Sequence, residues 1–338
     1  MQRRDFFAGS LVFAAACGPR GAGDSHVPSP RPPAGVGRPG IVIHGGAGTI
    51  ARDMPEPTKT AYLEGLRAAL KTGVEMLRRH ASSLDTVETV IRVLEDNPRF
   101  NAGKGAVYTH EGKHELDAAI MDGRTLGCGT ITGVKSVRNP ISLARMVMEK
   151  TRHVMFAGAG AEAFADTMKV ERVDATYFDT QVRYEAWQRA LQREAQGHAT
   201  EDAKKGTVGA VALDGQGNLA AATSTGGMTN KMFGRVGDVP IIGAGTYANN
   251  RTCAISCTGT GEEFIRHTVA RDIAAIMEYK ELSLQAAAEE VVHRKLAPGD
   301  GGVIGVARDG SLAMVFNSAG MYRGAGDLEG RLDVAIWE

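Results

Sequence analysis

Two threonines, Thr207 and Thr225, lie at the two ends of a short hairpin pattern in the segment GTVGAVALDGQGNLAAATST. The glycine turn is centred on Gln216, so Asp214 is expected to pair with Asn218. Continuing this antiparallel register pairs Thr207 with Thr225, and directly opposed residues share one face of a sheet with Cβ atoms about 5 Å apart. The sequence therefore predicts two neighbouring hydroxyl groups at the open end of the hairpin.

A threonine hydroxyl is a weak nucleophile unless a base lies beside it. Cleavage of the bond between Gly206 and Thr207 would give Thr207 a free α-amine, whose reference pKa of about 7.7 to 8.0 suits it to accept the hydroxyl proton. The Thr207 hydroxyl can itself attack the Gly206 carbonyl, because glycine tolerates strained backbone. This pattern favours a self-cleaving nucleophile, although threonine is also a common strand residue without any catalytic role.

Further motifs accompany the hairpin along most of the chain. They are IHGGAGT, FNAGKGAV, HELDAAIMDG, RNPISLARMVME, GRVGD, SCTGTGE and FNSAGMYR. With them the sequence resembles the plant-type asparaginase/isoaspartyl peptidase family, the threonine members of the N-terminal nucleophile hydrolases, from Gly40 to about Ala325. The resemblance implies an α+β fold, the four-layer αββα sandwich. It also implies cleavage into an α chain ending at residue 206 and a β chain of residues 207–338, and a dimer of such αβ pairs.

The resemblance assigns the reacting groups residue by residue. Thr207 matches the nucleophile and first residue of the β chain, and Thr225 matches the threonine whose hydroxyl supports it. In CTGTGE, Thr258 and Gly259 match a hydroxyl and a backbone N–H that stabilise negative charge developing in the transition state. Without the resemblance, this segment would be read as a strand end that turns into a helix.

Four further residues are implied in substrate binding. In GRVGD, Arg235 and Asp238 match the groups that bind the α-carboxylate and the α-ammonium of the substrate. A planar guanidinium binds a carboxylate through two parallel hydrogen bonds, and an aspartate pairs with an ammonium. Gly261 matches a glycine that lines the pocket, and Asn101 matches a residue near the nucleophile. Taken alone, Arg235 and Asp238 would fit an ordinary surface ion pair.

The segment LEDNPRFNAGK resembles a loop that binds sodium in this family, mostly through backbone carbonyl oxygens. The implied ligand positions are Leu94, Glu95, Asn97, Phe100, Ala102 and Lys104. An ordinary loop after a helix has the same composition. No cofactor is expected for catalysis, and the scattered histidines do not have the spacing of a zinc site.

The elements that position these groups follow from hydrophobic spacing and turn residues. A strand is predicted over residues 40–48, in which His44 is expected to be structural and the following glycines to shape the floor of the site. Helices are predicted at 58–79, from Ser82 or Ser83 to Leu94, from Pro140, from Gln181, and at 262–277 and 283–294. Strands cluster beside helices instead of alternating strictly with them, which also favours an α+β sandwich.

The composition is that of a globular protein, with 338 residues, 43% of them hydrophobic, and 39 basic side chains balanced by 39 acidic ones. Such a balance gives no global field to attract nucleic acid, so no nucleic-acid partner is expected. Cys253 and Cys257 lie in one predicted strand about 13 Å apart, beyond disulfide reach, and are expected to be buried thiols.

Residues 1–17 have the layout of an export signal. Arg3 and Arg4 precede an apolar run that is too short to span a bilayer, and Cys17 follows small residues. The arginine pair resembles a twin-arginine signal and the cysteine a bacterial lipoprotein cleavage site, while an ordinary signal peptidase site is the alternative. We therefore expect an exported protein, either periplasmic or anchored by a lipid on Cys17.

Residues 18–39 are rich in glycine and proline and predict a flexible linker, followed by a single domain over residues 40–338.

Taken together, these features predict an autocleaving amidohydrolase that acts on a small molecule. The expected substrates are L-asparagine or β-aspartyl dipeptides, hydrolysed through an acyl-enzyme on Thr207. One alternative is a glycosylasparaginase, which shares the nucleophile but needs room for a sugar. Another is a non-catalytic surface protein that only binds an amino acid through Arg235 and Asp238. Asparagine and isoaspartyl peptides share one aspartyl head group, so the sequence does not rank them.

Overall fold

The computed structural model describes residue 35 and residues 37–197 and 206–338. The predicted export signal with Cys17, most of the predicted linker, and the polar segment 198–205 before the predicted cleavage site lie outside the described residues. Within the described ranges, no helix is both long enough and apolar enough to cross a membrane.

Twelve strands form two sheets in the described part of the chain. The strands are β1 (Gly40–Gly48), β2 (Leu116–Asp122), β3 (Cys128–Val134), β4 (Met155–Ala157), β5 (Val208–Leu213), β6 (Leu219–Thr225), β7 (Thr246–Ala248), β8 (Cys253–Gly259), β9 (Gly301–Ala307), β10 (Leu312–Phe316), β11 (Gly320–Asp327) and β12 (Leu332–Ala335). The larger sheet has the order β12-β11-β1-β5-β6-β2-β3-β4, and the smaller one β10-β9-β8-β7. All pairs are antiparallel except β3 with β4.

Eight α-helices accompany the sheets in the same ranges. They are α1 (Glu56–Arg78), α2 (Ser83–Glu95), α3 (Pro140–Lys150), α4 (Gly158–Thr167), α5 (Gln181–Ala195), α6 (Gly261–His267), α7 (Val269–Lys280) and α8 (Leu284–Arg294). The predicted serine cap of α2 is present, because the Ser82 hydroxyl accepts a hydrogen bond from the Asp85 N–H at 3.1 Å.

Successive residues of β1 show how the layers are built. Ile41 and Ile43 point to one face of the larger sheet and pack in a core shared with α1 and α2, whereas Val42 points to the other face and packs against residues of the smaller sheet such as Ile304. A third core joins the smaller sheet to α7 and α8. The order helix, sheet, sheet, helix confirms the predicted α+β fold, the four-layer αββα sandwich.

One predicted helix is interrupted in the structure. The pattern over residues 262–277 indicates a single helix, but α6 and α7 are separated at Thr268, whose φ of 45° is left-handed. The N–H groups of Ala270 and Arg271 donate to the carbonyls of Ala244 and Gly243 in a neighbouring loop, at 3.1 and 2.8 Å. These tertiary hydrogen bonds replace helical ones, and local spacing does not reveal them.

The three described cysteines are free, and Cys253 and Cys257 are buried within β8, as predicted.

Candidate active site

The hairpin of β5 and β6 has the predicted register. Val208 lies opposite Ser224, and the Asp214 carboxylate accepts two N–H groups of the turn at 3.0 and 2.9 Å, which fixes its geometry. One pair beyond Val208, the hydroxyls of Thr207 and Thr225 are 3.1 Å apart. The prediction of two neighbouring hydroxyl groups at the open end is therefore confirmed.

The carbonyl oxygen of Gly206, just before Thr207, is surrounded by polar groups. The Asn101 side-chain amide donates to it at 2.7 Å and the Thr225 hydroxyl at 3.0 Å. The Thr207 hydroxyl oxygen lies 2.7 Å from the same atom. Since Thr207 has one hydroxyl proton and can donate it to Thr225, the Gly206 carbonyl is polarised by two donors that do not belong to Thr207.

These groups lie at a cavity that opens to solvent. Its lining residues are Gly206, Thr207, Thr225, Gly227, Met228, Arg235, Gly237, Asp238 and Gly259. The fold thus brings the hairpin end, the GRVGD segment and the end of β8 to one place. Gly227 and Met228 line the cavity as well, although no role was expected for them from the sequence.

Arg235 is held in place by an acidic neighbour. Its Nε and Nη2 atoms donate to the two carboxylate oxygens of Glu262 at 2.9 and 2.8 Å, a bidentate ion pair. This pair was not expected from the sequence, although a carboxylate directly after the pocket glycine Gly261 is visible there. Gly261 itself lies close to the guanidinium, because a Cβ at this position would be 2.9 Å from Arg235 Nη2.

Asp238 lines the cavity, and one of its carboxylate oxygens is buried without a hydrogen-bond donor in the described part of the chain. The residue is buried, and its Oδ2 atom has no hydrogen-bond donor among the described residues. Burial raises the pKa of this carboxyl group to about 7, although Arg235 acts in the opposite direction.

Thr258 lies behind the cavity wall beside Gly259. Its Oγ1 atom accepts a hydrogen bond from the Ala47 N–H at 3.1 Å, so its own proton is left to donate elsewhere. A Cβ on Gly259 would lie 2.0 Å from the Asp300 carbonyl oxygen, so only glycine fits at this point of the wall. In the sequence, Ala47 stands out only as part of a glycine-rich strand end, and nothing there indicates its contact with Thr258.

His44 has a more direct position than expected. Its Nδ1 atom lies 3.1 Å from the carbonyl oxygen of Thr207, and its Nε2 atom lies 2.9 Å from Ser256 Oγ. Burial lowers the pKa of His44 to about 3, so the ring is neutral at physiological pH. The expectation that this segment acts only through its backbone turns is incomplete, because the imidazole contacts Thr207 directly.

The loop after α2 supplies Asn101 and contains the predicted sodium ligands. The carbonyl oxygens of Glu95 and Phe100 lie 2.5 and 2.1 Å from where a Cβ on Gly103 and on Gly105 would be, so only glycine lets the loop pack this closely against them. The ammonium of Lys104 lies 5.3 Å from the centre of the Tyr177 ring.

The Glu95 side chain plays a separate structural part. Its Oε1 atom accepts hydrogen bonds from the Ser224 hydroxyl at 2.6 Å and the Ile141 N–H at 3.1 Å, and burial raises the pKa of this carboxyl group to about 8. The loop is thereby tied to β6. Among the described residues, no three or more His, Cys, Asp or Glu side chains group together as a metal site would require.

Comparison with known proteins gives a consistent result. The model of the family described as "Asparaginase" matches residues 37–336. An "Isoaspartyl peptidase" of Escherichia coli is 52% identical over 300 residues, which cover 86% of this chain and 94% of that protein. A "Probable isoaspartyl peptidase/L-asparaginase 2" of Arabidopsis thaliana is 43% identical, covering 88% and 98% of the two chains. A "Plant-type L-asparaginase" of Pyrococcus abyssi is 46% identical over 75% and 83%.

These matches extend over the same residues that build both sheets and the cavity between the hairpin, the GRVGD segment and the end of β8. The chain therefore belongs to the asparaginase family and is a hydrolase.

Proposed function

We propose that the protein is an amidohydrolase that cleaves itself before Thr207 and then hydrolyses L-asparagine or β-aspartyl dipeptides. The main supporting observation is the environment of the Gly206 carbonyl. Two donors polarise this carbonyl, and the adjacent Thr207 hydroxyl is placed to attack it. The named substrates of the relatives agree with this reading.

Self-cleavage uses groups that are already in contact. The Thr207 oxygen attacks the Gly206 carbonyl carbon, and its proton passes to the departing Thr207 nitrogen. The oxyanion that forms on Gly206 is stabilised by the Asn101 amide and the Thr225 hydroxyl. The peptide bond becomes an ester between Gly206 and the Thr207 oxygen, and water then hydrolyses this ester to leave a free α-amine on Thr207.

Turnover then uses that amine as the base. It takes the Thr207 hydroxyl proton as the oxygen attacks the side-chain amide carbon of the substrate. The Thr258 hydroxyl and the Gly259 N–H stabilise the oxyanion, and the proton goes to the leaving ammonia or amino acid. Water hydrolyses the aspartyl ester on Thr207 and releases aspartate.

The aspartyl head group is bound by opposite charges. The Arg235 guanidinium binds the α-carboxylate, and the carboxylate of Asp238, which lines the cavity, accepts hydrogen bonds from the α-ammonium. This arrangement presents the side-chain amide of the substrate to Thr207. Both proposed substrates contain the head group, so both fit it.

Two further features complete the proposal. A sodium ion held by the carbonyls of the loop at residues 94–104 would fix the backbone that carries Asn101, because hard cations prefer oxygen ligands. Its contribution would be structural, with no part in the reaction. The mature protein would assemble as a dimer of αβ pairs.

We also propose that residues 1–17 direct export of the protein. The mature protein would then be periplasmic, or anchored to a membrane through a lipid on Cys17. The supporting observation is the order of an arginine pair, an apolar run and a cysteine in the sequence.

Intact mass spectrometry of the purified protein tests these points together. We expect two polypeptides, one beginning at Thr207, together with the mass of the removed signal and of any acyl group on Cys17. Thr207→Ala should give one uncleaved chain without hydrolytic activity. A fully active preparation with an intact Gly206–Thr207 bond would refute the proposal.

Substrate class is tested by comparing kcat/KM for L-asparagine, a β-aspartyl dipeptide and an N4-glycosylated asparagine. We expect hydrolysis of the first two, and preferred hydrolysis of the glycosylated compound would instead indicate a glycosylasparaginase. Binding of aspartate without hydrolysis of any of the three would indicate a binding protein.

A further inference from the structure

A row of polar side chains crosses the apolar layer between the two sheets, directly beneath the nucleophile. In the larger sheet, His44 on β1 lies opposite Gly209 on β5, and Gly209 lies opposite Thr223 on β6. In the smaller sheet, Ser256 on β8 lies opposite Thr246 on β7. The four polar residues are fully buried. Burying such groups is costly unless they are hydrogen-bonded, so their contacts need an explanation.

Their side chains form one continuous series of hydrogen bonds. His44 Nε2 is 2.9 Å from Ser256 Oγ, which is 2.8 Å from Thr223 Oγ1, which in turn is 2.7 Å from Thr246 Oγ1. At the other side of the ring, His44 Nδ1 is 3.1 Å from the Thr207 carbonyl oxygen. The series therefore begins at the backbone of the nucleophile residue.

The chemistry of the first contact fixes the direction of every proton. A carbonyl oxygen can only accept, so Nδ1 of the neutral His44 ring must carry the proton, and Nε2 must accept. Ser256 then donates to Nε2, Thr223 donates to Ser256, and Thr246 donates to Thr223. Each hydroxyl has one proton, so no other arrangement satisfies all four contacts. The Val239 carbonyl oxygen, next to the substrate-binding Asp238, lies 3.2 Å from the Thr246 hydroxyl and can only share the same proton as a second, longer contact.

The strand pairing explains why a side chain, and not a backbone group of β1, binds the Thr207 carbonyl. The ladder between β1 and β5 ends at the pair of His44 and Gly209, so the Thr207 carbonyl has no ladder partner on β1. The missing side chain of Gly209 leaves the space for the imidazole, because a Cβ there would lie 2.1 Å from His44 Nε2. The ring therefore extends the hydrogen bonding of the sheet by one residue, to the carbonyl of Thr207.

We propose that His44 is a positioning residue, which holds the Thr207 carbonyl through this one-way series of hydrogen bonds and thereby orients the amine and hydroxyl of Thr207 after cleavage. The proposal rests on the proposed function. Cleavage removes the covalent tether on the N-terminal side of Thr207, so the remaining contacts on its carbonyl side decide where the amine points. A neutral ring suits this role, because it holds the carbonyl without adding a charge beside the amine that must act as a base.

A matched pair at Thr223 tests the series away from the ring and the cavity. Thr223→Val keeps the shape and removes the hydroxyl, whereas Thr223→Ser keeps the hydroxyl and removes a methyl group. We expect Thr223→Val to lower the kcat of the cleaved enzyme about tenfold, with KM within about twofold, and Thr223→Ser to retain kcat. Activity is expressed per free Thr207 N-terminus, so that slow maturation is not counted as slow catalysis.

His44→Phe is compared with His114→Phe, in which another buried histidine that contacts a backbone carbonyl is lost, at 3.1 Å from Val107 O. His114 Nε2 also lies 3.1 Å from an Asp179 carboxylate oxygen, so the control gives the change in kcat caused by loss of a buried imidazole with two hydrogen-bond contacts outside the series. We expect His44→Phe to lower kcat at least tenfold beyond the control. Equal effects of the two, or a Thr223→Val enzyme with the kcat of Thr223→Ser, would overturn the proposal while leaving the proposed function intact.

The protonation state of the His44 ring can be measured in the wild-type enzyme. In cleaved enzyme labelled with nitrogen-15 at histidine, the His44 signal, identified by its loss in His44→Phe, should show a neutral ring protonated at Nδ1 from pH 8 down to pH 5. A ring protonated at Nε2, or one that becomes charged between pH 7 and pH 6, would overturn the proposal. A wild-type protein that neither cleaves nor hydrolyses would refute the proposed function instead.

Discussion

The side-chain amide of Asn101 donates one hydrogen bond to the carbonyl oxygen of Gly206 at 2.7 Å and another to that of Gly227 at 2.6 Å. The contact with Gly227 therefore fixes the amide, and the contact with Gly206 places it on the oxygen that would become the oxyanion during cleavage. Loss of one oxyanion donor typically costs about 100-fold or more in rate, so Asn101→Ala should slow cleavage before Thr207 by about 100-fold. Denaturing gels of freshly made precursor would show this, with Asn249→Ala, in the turn after β7, cleaving at the wild-type rate.

Thr258→Val should separate maturation from turnover. Thr258 has no contact with the Gly206 carbonyl, so the variant should mature at nearly the wild-type rate, whereas its kcat should fall about 100-fold through loss of an oxyanion donor. Thr258→Ser retains the hydroxyl and serves as the control. A variant impaired equally in both reactions would show that Thr258 acts on the fold and not on the substrate oxyanion.

Arg235→Lys keeps the charge and removes the planar group. A lysine cannot bind Glu262 and a substrate carboxylate in the same bidentate geometry, so we expect KM to rise about tenfold or more with a smaller change in kcat. Steady-state kinetics with L-asparagine and a β-aspartyl dipeptide measure the two parameters. Arg266→Lys, in an exposed ion pair with Glu263, is the control, and an unchanged KM in Arg235→Lys would argue against carboxylate binding by this residue.

The carboxyl group of Asp238 gives ligand binding a pH dependence. Burial raises its pKa from 3.8 to about 7, so in the empty site it is protonated below that pH, and an ammonium ligand favours the charged form and lowers the pKa again. Aspartate binding to cleaved enzyme should therefore release about one proton from Asp238 at pH 6 and almost none at pH 8. Calorimetry in buffers of different ionisation enthalpy measures this release.

The Asp238→Asn enzyme is the control for that measurement, because it has no carboxyl proton to lose. Equal proton release at pH 6 and pH 8 in the wild type would mean that Asp238 is already charged in the empty site.

Gly209→Ala should destabilise the protein from its interior. The added Cβ would lie 2.1 Å from both His44 Nε2 and Ser256 Oγ. Overpacking of this kind typically costs about 1 to 3 kcal/mol of unfolding free energy. Gly215→Ala is the matched control, because nothing lies within 4 Å of its Cβ position. Denaturant unfolding of the two variants should give clearly different midpoints, and coincident midpoints would contradict the packing described for Gly209.

The sequence predicted those parts of the site that depend on local geometry. The register of Thr207 with Thr225 follows from a short turn whose residues are all adjacent in the chain. The likeness of the GRVGD segment to a known motif supplied Arg235 and Asp238 in the same way, and the structure places both at one cavity with the hairpin.

Contacts between distant segments could not be predicted in this manner. His44 meets Thr207 across 163 positions because β1 and β5 pair within the larger sheet, and Ala47 meets Thr258 across 211 because the two sheets stack face to face. Hydrophobic spacing shows which face of a strand is buried, but not which polar group on the opposite sheet will face it. The break at Thr268 has the same origin, since its cause is a loop that packs against the helix.

The order of strands in the larger sheet has a consequence for the cleaved protein. The hairpin of β5 and β6, which follows the cleavage site, is inserted between β1 and β2, which precede it. After the cut, the two polypeptides would remain interleaved by a complete ladder on each side. Once denatured, they would separate, and their refolding would become a bimolecular reaction that slows on dilution. The uncleaved chain, in contrast, would refold in a unimolecular reaction.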